Sequence, residues 1–346
     1  MAKIYYTGLS TSKFICDDES DDSTNLVVND QFIPVPWEDV TDIEIGWDYF
    51  LIWKNNKVHI VGKIVGEKCE KVIQSLRIPD CANTNFKQAI AGSENVTVLT
   101  DDQDIWIHNM YNGNWKKVPN FISTADEDKK ECVVKIAQGR CTVALTNLGQ
   151  VFNIPISLND PESLIFIDVA CGYDHTLLLA KDGGVYSVGM GTRGQLGHGD
   201  LEDCDEPKLI EALAGLKIVQ ISSGGWHSAV VTDQGDLYTW GWNNQGQLGH
   251  PDVENVVAVP KIVDFIDETE ETVEINIKKA QCGSAFTICM TDSDKLWGCG
   301  SNKYGQLGLP REAFTSVKKF VAIKLPNIEK PIRDFKCREW GSCIYT

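Results

Sequence analysis

Two stretches decide the fold. One is Val169-Ala-Cys-Gly-Tyr-Asp-His-Thr-Leu-Leu-Leu179, continuing to Gly194-Gln-Leu-Gly197. The other is Ile221-Ser-Ser-Gly-Gly-Trp-His-Ser-Ala-Val-Val231, continuing to Gly246-Gln-Leu-Gly249. They superimpose at an offset of 52 without a gap, placing Gly172 on Gly224, His175 on His227, Tyr186 on Tyr238 and Gly189 on Gly241. A third copy follows 59 residues on, from Ala280 to Gly308, with Gly283, Gly300 and Gly305-Gln-Leu-Gly308. Self-similarity at a period near 50 is the mark of a repeat architecture.

Each copy starts with an apolar strand that ends at a glycine. A second strand follows, such as Thr176–Leu179, then an Asp-Gly or Gly-Asp turn, then a third strand, such as Val185–Val188. Short β-branched and aromatic runs between such turns read as an antiparallel meander. A small sheet cannot bury both of its faces alone, so the copies must stack around an axis and close. Weaker copies then become legible around Gly46, Gly92 and Gly139, and the tail holds one with Arg338 in the glycine slot. The anchors are 46, 92, 139, 172, 224, 283 and 338. The last copy stops after two strands, and Lys3–Gly8 resembles the missing third, Leu237–Gly241. The expected fold is all-β: a seven-bladed β-propeller closed by the N-terminal strand completing the C-terminal blade. The expected domain is single, 1–346, with divergent blades over 1–167, well-formed repeats over 168–309, and a closing blade of 320–346 plus 1–16.

The pattern Gly-x-x-His-Thr/Ser, then Tyr-x-Trp-Gly-x-Asn-x-x-Gly-Gln-Leu-Gly, resembles the regulator-of-chromosome-condensation repeat. The resemblance is specific across 168–309 and loose over 1–155. It implies the seven-bladed fold. The runs Arg193–Gly199, Glu206–Gly215, Gly224–Ser228 and Trp240–Asn243 are further similar to a small member of that family that partners a jumonji-C oxygenase. The likeness implies a non-enzymatic nuclear scaffold supporting chromatin modification and chromosome segregation, with iron and 2-oxoglutarate in the partner and no cofactor here. The founding member implies another reading, a guanine-nucleotide exchange factor for a small GTPase; a cytoplasmic adaptor is a third. The tryptophan-rich photoreceptor of the family is a thinner likeness, because its cross-dimer arginine–tryptophan pattern is not visible in the sequence.

Net charge is −17 with 49 acidic against 32 basic residues. A protein gripping DNA phosphates needs the opposite sign, whereas basic histone tails are electrostatically admissible partners. No run approaches the roughly 18 apolar residues of a membrane span and no leader-like segment opens the chain, so a nuclear or cytosolic setting is expected. Cys171, Cys282 and Cys337 share one strand slot and read as small buried residues; with no Cys-x-x-Cys pair, no metal site is expected.

Gly189-Met-Gly-Thr-Arg-Gly194 fits a dinucleotide motif in form, but its first and last glycines recur at 241 and 246, and at 300 and 305, so it reads as a turn of the repeat. His175 and His227 share a slot held by Phe286 in the third copy, which points to a structural hydrogen bond. Trp240 and Trp297 are expected in the inter-blade core. Candidate partner-binding residues are Trp226, His227, Trp242 and Trp340 around the anchor loops, and Asp267, Glu268, Glu270 and Glu271 in an acidic insertion within 250–279. Pro207–Leu216 is expected to form one or two helical turns between blades. The acidic loop 17–25 and the charged loop 123–132 complete the surface, and the divergent blades are the expected seat of specificity.

Overall fold

The fold follows from the turns. Asp-Gly and Asn-rich corners reverse short apolar strands every few residues, and the computed structural model shows seven four-stranded antiparallel sheets. It describes residues 3–10, 27–62, 74–79, 81, 84–122, 131–158, 164–267, 269–326, 328 and 330–346. The loop 17–25, Glu268 and most of 123–132 lie outside them.

Counting inward to outward, blade 1 has strands Val40–Ile45, Tyr49–Lys54, Lys57–Gly62 and Gln74–Ser75; blade 2 has Phe86–Ala91, Asn95–Thr100, Ile105–Asn109 and Trp115–Lys117. Blade 3 has Val133–Gln138, Thr142–Thr146, Val151–Asn153 and Ile156–Ser157. Blade 4 has Phe166–Cys171, His175–Ala180, Val185–Gly189 and Cys204–Leu209. Blade 5 has Ile218–Ser223, His227–Thr232, Leu237–Trp242 and Val256–Ile262; blade 6 has Ile277–Cys282, Phe286–Thr291, Leu296–Ser301 and Ser316–Ala322. Blade 7 is composite: Asp334–Arg338 and Gly341–Tyr345 from the tail, then Ile4–Ser10 and Val27–Pro34 from the N-terminal part. Ile4 pairs with Tyr345 and Gly8 with Gly341, so the ring closes through backbone hydrogen bonds as expected.

Three expectations need correction. The closing blade takes Val27–Pro34 as well as the first strand, and 320–322 belong to the outer strand of blade 6. The segment around Pro207 is an outer strand, followed by one 3-10 turn at Glu211–Leu213. Proline is tolerated there because an edge strand need not donate from every amide. Part of the segment 250–279, read as an insertion, is likewise strand, Val256–Ile262.

The core lies between the blades. Leu177, Leu179 and Val185 of blade 4 pack against Ile218, Ile221, Val230 and Trp240 of blade 5. Trp240 is fully buried; Trp297 is half-buried, edge-on to Phe265 with centroids 5.7 Å apart. The anchor glycines permit the close approach this requires: a Cβ on Gly139, Gly172 or Gly224 would fall on the carbonyl oxygen of the next anchor, Gly172, Gly224 or Gly283.

On the inner strands, four residues before each anchor and, at Lys336, two before it, a belt of side chains ties neighbouring blades around the central channel. Lys135 pairs with Asp168, Lys279 with Asp334 and Lys336 with Asp42. Where the slot holds glutamine, its amide grips the next strand: Gln88 bonds the N–H and C=O of Ile136 (2.8 and 2.9 Å), and Gln220 those of Ala280.

Candidate functional site: the channel mouth

The loops that follow the anchor slots gather on one face of the ring. In five successive blades their backbones are stitched together. Arg140 N–H donates to Tyr173 O (2.8 Å), Tyr173 to Gly225 (3.0 Å), Gly225 to Ser284 (3.1 Å) and Ser284 to Glu339 (2.8 Å). This rim surrounds a cavity of about 1140 Å³ that residues of all seven blades line, running down the channel.

Two aromatic clusters stand on the rim. In the first, Trp226 meets Trp242 (centroids 5.2 Å) and, edge-on, Tyr173 (5.2 Å). The Arg193 guanidinium lies over both indoles, 4.1 Å from Trp226 and 3.4 Å from Trp242. Trp226 Nε1 donates to Asp174 (3.0 Å), whose other oxygen faces Arg140 at 3.3 Å. In the second, Trp340 packs edge-on to Trp47 (5.9 Å) and Tyr304 (5.5 Å), and Trp47 is about half exposed. Arg193 and Tyr304 occupy the same repeat position, one residue before Gly-Gln-Leu-Gly, and each rests on the tryptophan of the following blade.

Below the rim, Arg338 reaches across the channel. Its Nη2 donates to Gln138 O of blade 3 at 2.9 Å and its Nη1 faces Glu44 at 3.4 Å. Burial pushes the Glu44 carboxyl above its usual range, with Arg338 and Lys336 opposing the shift. Tyr173 OH and Ser284 Oγ bond each other and both approach Glu339 Oε2, at 3.0 and 3.2 Å.

The structure thus brings Trp226, Trp242 and Trp340 to one mouth, as a binding face needs. It removes His227 from it. His227 is fully buried, with Nε2 on Thr287 Oγ1 of the next blade at 3.0 Å; His175 makes the same bond to Ser228 at 2.9 Å. Burial drives both imidazoles down, to about 3 and about 4, so they are neutral inter-blade pins. His198 and His250 bond Ser187 and Thr239 inside their own blades (2.9 and 3.0 Å). Asp267, Glu270 and Glu271 lie apart from the mouth, in the loop leading from blade 5 to blade 6. Asp267 closes a turn on Thr269 and Glu271, and Glu270 pairs with Lys319 of the blade 6 outer strand (2.8 Å). Sequence reading missed Arg193, Trp47, Tyr173 and Tyr304. The Arg193 stack on Trp226 and Trp242 is a contact within a single chain. Arg338 was visible as the one non-glycine anchor. Among the described residues no three His, Cys, Asp or Glu side chains gather as a metal site.

Comparison with known proteins fits this geometry. Two models of the regulator of chromosome condensation (RCC1) repeat match, one at 182–231 and 234–290, the other at 166–195, 218–247 and 277–306. The chain carries RCC1 repeats. It is 27% identical to mouse RCC1 domain-containing protein 1 over 89% of this chain and 88% of that one. It is 44% identical to the human E3 ubiquitin-protein ligase HERC2 over 41% of this chain, a match that spans 3% of the ligase's length. Among solved structures, human WBSCR16 superimposes with a TM-score of 0.80 at 19% identity, covering 100% of this chain and 99% of that one. Prp20p of Saccharomyces cerevisiae, described with its binding properties to Gsp1p and histones, gives 0.76 at 17%, covering 99% and 91%. The fold is therefore an RCC1-like propeller. No helix among the described residues is long and apolar enough to cross a membrane.

Proposed function

We propose that this RCC1-like propeller is a non-enzymatic docking scaffold whose channel-mouth face binds a protein partner. One observation carries the reading: six aromatic rings, Trp47, Tyr173, Trp226, Trp242, Tyr304 and Trp340, ring a single mouth. Clustered, partly exposed tryptophan and tyrosine beside arginine is the composition of an interface hot spot. The resemblance read from the sequence supports a jumonji-C oxygenase as the partner and a nuclear, chromatin-linked role. The divergent first blade supplies Trp47 to the same mouth, which suits specificity built from unlike blades.

The test is co-purification. The oxygenase captured by the wild-type chain should be lost with Trp47→Ala/Trp340→Ala and with Trp226→Ala/Trp242→Ala, while circular dichroism stays native. Capture undiminished by both double variants would refute the docking face. The second reading, an exchange factor, is favoured by what Prp20p binds, the partner Gsp1p. Nucleotide release from a panel of small GTPases, accelerated by the wild-type chain, would replace the scaffold reading.

A further inference from the structure

The channel wall runs against the charge of the chain. Net charge is −17, yet the cavity lining carries six Lys and Arg side chains against four carboxylates. Each of those carboxylates is engaged from within: Asp42 by Lys336, Glu44 by Arg338, Asp174 by Arg140 and Trp226, and Glu339 by Tyr173 and Ser284. The chain has six arginines, and three of them, Arg140, Arg193 and Arg338, stand at this mouth. A low-dielectric funnel with one sign of excess charge concentrates ligands of the other sign.

Arg338 is the group built to receive such a ligand. It replaces the glycine of every other anchor, so its side chain alone projects from that slot into the channel. Its bonding is incomplete. Nη1 stands 3.4 Å from Glu44, longer than the 2.7–2.9 Å of a good charge-assisted hydrogen bond. Its Nε is buried and makes no hydrogen bond with the protein. A guanidinium offers five donors in a fork matched to a carboxylate, and here two contacts occupy it. Glu44 for its part is a partly buried acid held in a site that disfavours its charge.

We propose that the channel mouth is a socket for an acidic side chain carried by the docked partner segment, with Arg338 taking its carboxylate and Glu44 filling that role in the free protein. The aromatic rim packs the flanking residues and the excess positive charge steers the segment in. A lysine-rich tail is repelled by the same wall. The assignment rests on this face being the docking face, but it can be tested without any partner.

The experiment titrates the full chain with an acetylated, amidated hexaglutamate peptide and follows tryptophan fluorescence and heat. Saturable binding that weakens with salt is expected. Arg338→Ala should weaken it at least about tenfold, the scale of one lost charge-assisted hydrogen bond. Glu44→Gln should tighten it, because the internal competitor is gone; this variant carries the test if Arg338→Ala does not fold. The socket is overturned by no saturable binding to either wild type or Glu44→Gln, by equal binding to Arg338→Ala, or by tighter binding of hexalysine. Inorganic phosphate displacing the peptide at equal concentration would overturn the peptide assignment in favour of a free anion. A partner that docks normally on Arg338→Ala would sink the socket and leave the docking face standing. Hexaglutamate binding with no partner captured would do the reverse.

Discussion

Blades 4 to 6 and blades 1 to 3 reach the same sheet by different means. In the first group the Gly-Gln-Leu-Gly loop of one blade is buried in the next. The Gln195 carbonyl accepts from Ser228 Oγ (3.1 Å) and Trp240 Nε1 (2.9 Å) of blade 5, and the Gln247 carbonyl from Thr287 Oγ1 (2.7 Å) of blade 6. The Gln306 carbonyl accepts from Ser342 Oγ (2.7 Å) of blade 7. The outer strands there run six or seven residues. In blades 1 to 3 the outer strands shrink to two or three residues and the joints are one-off: Tyr49 OH to Gly92 O at 2.8 Å, Thr97 Oγ1 to Gln138 at 2.8 Å. The lesson is that the repeat motif encodes the joint between blades more than the blade itself. A sheet survives without the motif if other side chains bridge the gap.

The largest test of that contrast is Trp240→Ala. It deletes a fully buried indole from the blade 4–5 core and takes a donor from Gln195 O. A cost of about 3–5 kcal/mol is expected from urea unfolding. A cost under about 1 kcal/mol would mean the motif loop does not hold the joint.

The same contrast explains what the sequence made legible. Gly-Gln-Leu-Gly spacing and the anchor glycines were readable because close backbone approach admits no side chain there, and Lys3–Gly8 because a third strand has a fixed look. The outer strands were not. Cys204–Leu209 is half solvated, so it shows no alternation, and Pro207 disguises it as a helix start. Val27–Pro34, with Asn29, Asp30 and Gln31 inside it, is hidden in the same way. Of the site, the tryptophans were found by their slots. His227 was misplaced because it stands next to the rim residue Trp226 but opens the buried strand His227–Thr232. The Arg193 sandwich joins residues of blades 4 and 5 that only the stacking of neighbouring blades brings together, 3.4 and 4.1 Å from the guanidinium.

A second test is specific to the regular half, where the pins are histidines. His175 and His227 titrate at about 4 and about 3 in the folded ring and near 6.5 in the unfolded chain. The unfolded chain therefore binds more protons between those values, and stability falls as pH drops below about 6.5. Each pin should remove about 2 kcal/mol between pH 7.5 and pH 5.0. Phe286 already fills the slot in blade 6, so His175→Phe/His227→Phe is sterically matched. The double variant should lose about 4 kcal/mol less than wild type over that interval; parallel losses would refute neutral pins.

Removing one hydrogen bond from each half sharpens the contrast. Thr287→Val takes the donor from Gln247 O and leaves His227 Nε2 without its hydroxyl. About 2 kcal/mol is expected, since two buried groups lose a partner. Tyr49→Phe removes only the bond to Gly92 O and should cost about 1 kcal/mol. Equal values in urea unfolding would erase the difference between motif joints and improvised ones.

The smallest effect should come from Arg193→Ala. Arg193 is not part of the buried joint; it lies on the rim over Trp226 and Trp242, where solvent screens the attraction. Stability should fall by under about 1 kcal/mol. The indoles, released from the cation, should still change their fluorescence and near-ultraviolet dichroism, while Trp226 keeps its bond to Asp174. If instead Arg193→Ala costs as much as Trp240→Ala, the rim is structural in the way the joints are. Hot-spot residues on a docking face should be cheap to lose in the free protein and expensive in the complex, and Arg193 is where that difference is easiest to measure.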